Sequence, residues 1–144
     1  MVDYVEAALV ALLWLVLGTV IAAILVKIYD AIIFRHIDLK TAIAEGNRAV
    51  SIFFSLMFLG IIIVIVASVI SPAANTLTAD IGEMIGWSIG ISAIGTVIFF
   101  GLDKLLIPNI KLEKAMQDNN IAAGILAGVI YLGVSLIGAS VILT

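Results

Sequence analysis

The sequence predicts an all-α integral membrane protein: four transmembrane helices forming two parallel-topology hairpin repeats, each with a short interfacial amphipathic turn. Three observations predict it. Of the 144 residues, 64% are hydrophobic and only 12% charged, with a mean hydropathy of +1.33. A soluble domain carries about 25% charged residues, so half that share cannot clothe a globule in water, and lipid must be the solvent for most of the chain. Second, four nearly uncharged stretches stand at roughly 7–29, 49–70, 81–102 and 121–143, each long enough to cross a hydrocarbon core about 30 Å thick. Third, rare residues recur at one offset: Trp14 and Trp87, Asp30 and Asp103, Asn47 and Asn120, and Gly60 and Gly133 are each 73 positions apart.

The same composition excludes much else. There is no cysteine, hence no disulfide, thiol nucleophile or cysteine metal site. No basic stripe exists, so nucleic acid is not an expected partner. No nucleophile–base pair, His/Glu metal spacing or Gly-rich phosphate loop is visible, so neither an enzyme nor a bound cofactor is expected. His36 is alone in a charged loop and reads as a solvated residue rather than a metal ligand.

Helix one follows the tail Met-Val-Asp-Tyr-Val-Glu, which has two acids and no base. With so long an apolar run behind it, the segment reads as a retained span and not a signal peptide. Asp30 closes this helix, as Asp103 closes helix three. The pair has two readings: a carboxylate set drawing cations toward a pathway, or hydrated interfacial acids beside Lys27 and Lys104.

The first connector then reads Asp38-Leu-Lys-Thr-Ala-Ile-Ala-Glu-Gly46, with Leu39, Ala42 and Ile43 at helical spacing. The second carries Leu112, Ala115 and Met116 at matching positions. Each predicts a short amphipathic turn whose apolar face meets the acyl chains. Glu45-Gly46-Asn47 and Asp118-Asn119-Asn120 follow. Gly46 can stop the first turn in a left-handed conformation, and Asn47 and Asn120 are placed to cap the returning helices. The motif is a helix restart.

Helix two is bulky, with Phe53, Phe54, Phe58 and the run Ile61 to Val66, and reads as lipid-facing. Asp80 and Glu83 have capping-box spacing at the start of helix three, the alternative for Glu83 being a cation site at the outer mouth. Gly82, Gly86 and Gly90 recur every four residues along helix three, and Gly124 and Gly128 do so on helix four. Such small-residue stripes let helices approach closely in lipid, within one chain or between chains. Trp14 and Trp87 suit an outer aromatic belt or equivalent packing slots.

The offset divides the chain into a first repeat, 1–73, and a second, 74–144. A repeat with two spans re-enters from the same side, so the halves are related by an axis along the membrane normal. All basic residues surround the two amphipathic connectors: Lys27, Arg35, Lys40 and Arg48, then Lys104, Lys111 and Lys114. Asp3, Glu6, Asp80 and Glu83 mark the other side. The positive-inside rule therefore predicts cytoplasmic repeat loops and outward-facing N- and C-termini.

A duplicated amphipathic turn followed by Glu-Gly-Asn and small apolar residues resembles the YjfL-type membrane proteins, a bacterial and archaeal family with a domain of unknown function. The carrying residues are Asp38-Leu39 and Glu45-Gly46-Asn47-Arg48-Ala49, then Leu112, Asp118-Asn119-Asn120 and Ala122-Ala123-Gly124. Asn119 stands where the pattern has glycine, which leaves the end of the second turn open. The resemblance implies a prokaryotic inner-membrane protein that is channel-like or works with other envelope components.

Two functions follow as expectations. One is a homo-oligomeric channel or transport component for ions or small solutes, since four helices pack around their own core without a lumen. The other is a non-conducting structural or assembly subunit that anchors an envelope protein partner. Membrane lipid surrounds either.

Overall fold

The computed structural model describes residues 4–71, 76–106 and 108–144; Asp3 lies outside them. The elements are α1 (Tyr4–Ile28) running into a π-helical turn (Tyr29–Ile33), α2 (Leu39–Ala44), α3 (Arg48–Ile70), α4 (Leu77–Leu106), α5 (Leu112–Gln117) and α6 (Ile121–Ile142). Among the described residues there is no strand. Four helices (α1 with its π turn, α3, α4 and α6) are long and apolar enough to cross a membrane. This is a multi-pass helical membrane protein.

The predicted spans hold, with informative shifts at their ends. Helix one outlasts its α-helical part, because the Phe34 N–H donates to the Tyr29 carbonyl, five residues back, at 2.9 Å. The widened turn delivers Phe34 to the interior, where it is fully buried. Helix three starts at Leu77, ahead of the expected capping box. Thr76 takes the cap position: its hydroxyl accepts from Ala79 N–H at 3.3 Å, and its carbonyl accepts from Asp80 N–H at 3.1 Å. With that N–H already inside the helix, Glu83 has no cap to complete, and the capping-box reading is corrected.

The bundle is built around α3 and α6, which pack most extensively; α4 lies against both, and α1 rests chiefly on α3. The expectation that helix two faces lipid is therefore overturned. Phe53, Met57 and Val64 of α3 are at most 1% exposed. The reason is steric. A Cβ at Gly128 of α6 would fall 2.8 Å from Leu56 Cβ, and one at Gly124 would enter the Ala49 backbone. These glycines open the surface of α6, and the bulk of α3 fills it.

An aromatic cluster closes the loop-side half of the core. The Phe34 ring centroid lies 4.9 Å from Phe53 and 5.7 Å from Phe99, both edge-on. Tyr131 joins it at 5.7 Å from Phe53. Offset and edge-on pairs of this kind contribute about 0.5–1.5 kcal/mol each beyond their buried area.

Helices α2 and α5 also differ from expectation. Leu112 and Met116 are buried in the protein core, as is Ala42. Their apolar faces turn toward α3 and α6 rather than the acyl chains. Only Ile43, 61% exposed, still points outward in the expected way.

Candidate functional site

Most of the charged residues gather at the end of the bundle that carries the two long connectors. Asp30 Oδ1 accepts from the Leu39 N–H at 3.0 Å, and Asp103 Oδ1 accepts from the Leu112 N–H at 2.9 Å. In both cases a carboxylate at the end of a long helix reaches nine residues forward and satisfies the first N–H of a short one. Such an N–H has no partner within its own helix, so an anionic acceptor there stabilises the helix start. Asp38 adds a local cap to α2, accepting from the Thr41 N–H at 3.1 Å and its hydroxyl at 3.0 Å. Those two bonds hold its carboxyl below the usual aspartate range.

The restart motifs form the next layer. Gly46 has φ +72° and Asn119 has φ +60°, so both turns end in the left-handed region. The question left open by Asn119 is thus settled: it adopts the glycine conformation, which asparagine tolerates better than other side-chain-bearing residues. Asn47 Oδ1 accepts from Val50 N–H at 3.0 Å, and Asn120 Oδ1 accepts from Ala123 N–H at 3.3 Å. Both are N-caps, as expected.

What the sequence did not disclose is that the two motifs interlock. Asn47 Nδ2 donates to the carbonyls of Met116 and Gln117 at 3.0 and 3.1 Å, reaching from the first connector to the end of α5. Asn119 Oδ1 accepts from the N–H groups of Arg48 and Ala49 at 2.8 and 3.2 Å. With Val50 capped by Asn47 and Ser51 N–H bonded to the Asn47 carbonyl at 3.2 Å, the first turn of α3 is fully satisfied. Gln117 Nε2 further donates to the His36 carbonyl at 2.6 Å. Glu45 and Asp118 of the motifs remain exposed.

A second polar set lies inside the spans. Ser88, Ser92 and Thr96 are buried on one face of α4, four residues apart. Thr96 Oγ1 pairs with the Tyr131 hydroxyl at 2.7 Å and donates its own bond to the Ser92 carbonyl at 2.9 Å when Tyr131 is the donor between them. The Tyr29 hydroxyl lies close to the side chains of Thr96 and Ser92. Three helices thus meet through hydroxyls. The i, i+4, i+8 spacing was readable, but serine and threonine also satisfy themselves on the preceding turn, so spacing alone carried no partner.

Glu83 is not part of either set. It is exposed, and lies twenty residues before Asp103 on the same helix, about 30 Å away at 1.5 Å per residue. Gly82, Gly86 and Gly90 run along α4 with nothing within 4 Å of a Cβ added to any of them. Among the described residues nothing packs on them, whereas Gly124 and Gly128 are taken up by α3. Trp14 is half-buried against the core and Trp87 is exposed, so the two tryptophans do not share equivalent surroundings.

The family model described as Domain of Unknown Function (DUF350) matches residues 3–142. No curated protein and no solved structure gives a match to the chain.

Proposed function

The chain belongs to the DUF350 family of unknown-function domains, and from its geometry we propose that it works as a homo-oligomeric protein of the prokaryotic cytoplasmic membrane. The observation that carries this reading is the open glycine face of α4. Close helix approach is a main source of association in lipid, where no hydrophobic drive operates between helices. Gly124, Gly128 and Gly138 of α6 are each taken up by a neighbouring helix, but Gly82, Gly86 and Gly90 meet only open space. A second copy laid against α4 gives those glycines a use.

The two-helix duplication belongs to the same proposal. It is supported by the bonds that recur 73 positions apart, from Leu39 to Asp30 and from Leu112 to Asp103. With the basic residues at that end, the connectors face the cytoplasm and both termini face out.

Transport, on this reading, runs between subunits, because the bundle interior is filled by the Phe34, Phe53 and Phe99 cluster. One observation favours the non-conducting alternative of an assembly subunit: both Asp30 and Asp103 already serve backbone N–H groups. The test is the native mass in mild detergent. A native mass of one chain would remove the oligomer; Gly86→Leu should leave a folded, smaller species, and a multimeric mass unchanged by it would mean that these glycines hold no subunits together.

A further inference from the structure

We propose that the groove between α1, α2 and α3 is a binding site for one anionic phospholipid, its phosphate held by Lys27 and Lys40. The groove has a volume of about 500 Å³, with Val26, Ile43 and Phe58 among its apolar walls and Lys27, Lys40 and Asp30 at its polar end. That volume is within the range of about 300–1,000 Å³ typical of ligand sites.

The case rests on what stands 73 positions later. There two of the wall residues are replaced by larger ones, Val26 by Phe99 and Phe58 by Tyr131, and the exposed Ile43 by the longer, unbranched Met116. Phe99 and Met116 are fully buried and Tyr131 is 3% exposed. The corresponding space in the second half is therefore occupied by protein, while in the first half it is open.

The charges differ in the same sense. Lys27 corresponds to Phe100 and Lys40 to Glu113, so both ammonium groups belong to the open groove alone. They outnumber the one carboxylate beside them, and Asp30 Oδ1 is already engaged by the Leu39 N–H. An apolar slot ending in two cations at the level of the connectors matches an acyl chain ending in a phosphodiester. Basic pockets between spans recognise anionic head groups in this way. A zwitterionic lipid would set its own ammonium beside Lys27 and Lys40, which disfavours it.

The experiment is native mass spectrometry of the full chain in mild detergent, with equimolar phosphatidylglycerol and phosphatidylcholine. The first bound lipid should be phosphatidylglycerol by about thirtyfold, the scale expected for two lysines near a membrane surface. The double variant Lys27→Gln/Lys40→Gln should bring the two lipids to parity. Lys104→Gln, an exposed lysine outside the groove, should keep the preference. Val26→Phe fills the slot without touching a charge and should remove the bound lipid; it carries the test if the lysine variant does not fold. Equal binding of both lipids by the unaltered chain overturns the proposal. So does a preference that survives both variants, or full displacement by glycerol phosphate, which has no chains.

Discussion

Asn119 caps a helix that is not its own: its Oδ1 accepts from the Arg48 N–H at 2.8 Å, 71 positions earlier in the chain. The bond ties the second connector to the start of α3. It also explains why asparagine stands where glycine, Gly46, stands 73 positions earlier. Glycine would supply the left-handed turn but no oxygen, and α3 would begin with two unpaired N–H groups near lipid.

Two substitutions at this position separate turn from cap. Asn119→Gly keeps the turn and loses the bonds to Arg48 and Ala49, so it should destabilise the fold by about 1 kcal/mol. Asn119→Ala loses both and should cost about 1–2 kcal/mol more, from the strain of a left-handed residue with a Cβ. Unfolding by SDS in mixed micelles measures the order. Equal stability of the Gly variant and the unaltered chain would mean that the Arg48 and Ala49 bonds contribute nothing.

Gly124 and Gly86 should respond in opposite ways. A Cβ at Gly124 enters the Ala49 backbone, and Gly86 has open space around it. Gly124→Ala is expected to destabilise the monomer by roughly 1–3 kcal/mol, because α3 and α6 must move apart. Gly86→Leu should preserve the monomer fold, read by circular dichroism and thermal unfolding, while lowering the native mass. The control on the lipid side is Val97→Leu, since Val97 is 73% exposed.

The carboxylates Asp30 and Asp103 can be stripped of charge without losing their bonds. Asparagine keeps an oxygen that accepts from Leu39 and Leu112, so Asp30→Asn/Asp103→Asn should fold and keep its native mass. If the acids line a cation path, flux through proteoliposomes should fall to background in that variant. Unchanged flux would assign them to helix capping only. The alanine pair, which removes the charged acceptors, should instead lose about 1.5–3 kcal/mol per bond.

Orientation is open to direct labelling, because the chain contains no cysteine. A single cysteine replacing Thr144 should react with an impermeant maleimide added to whole cells. One replacing Lys40 or Lys114 should react only after the membrane is opened. The reverse pattern would overturn the orientation drawn from the basic residues.

The sequence alone determined the elements and the signals at their ends. Uncharged stretches of about 20 residues mark spans whatever their neighbours, because a backbone in hydrocarbon must satisfy its own hydrogen bonds. Gly46, Asn47 and Asn120 act within a few residues of themselves, so their roles as turn and caps were legible. Tertiary structure alone decided which surfaces meet. In water, burial separates apolar from polar faces and leaves a pattern in the sequence; in lipid, core and solvent are equally apolar. Hence the phenylalanines of α3 gave no sign of standing at the centre, and Leu112 and Met116 none of facing protein. Nor did spacing distinguish Gly124, which meets Ala49, from Gly86, which meets nothing among the described residues. Asn47 with Met116, Asn119 with Arg48, and Thr96 with Tyr131 join residues 35 to 71 positions apart, and only the packing of α3, α4 and α6 brings such distant groups within bonding distance.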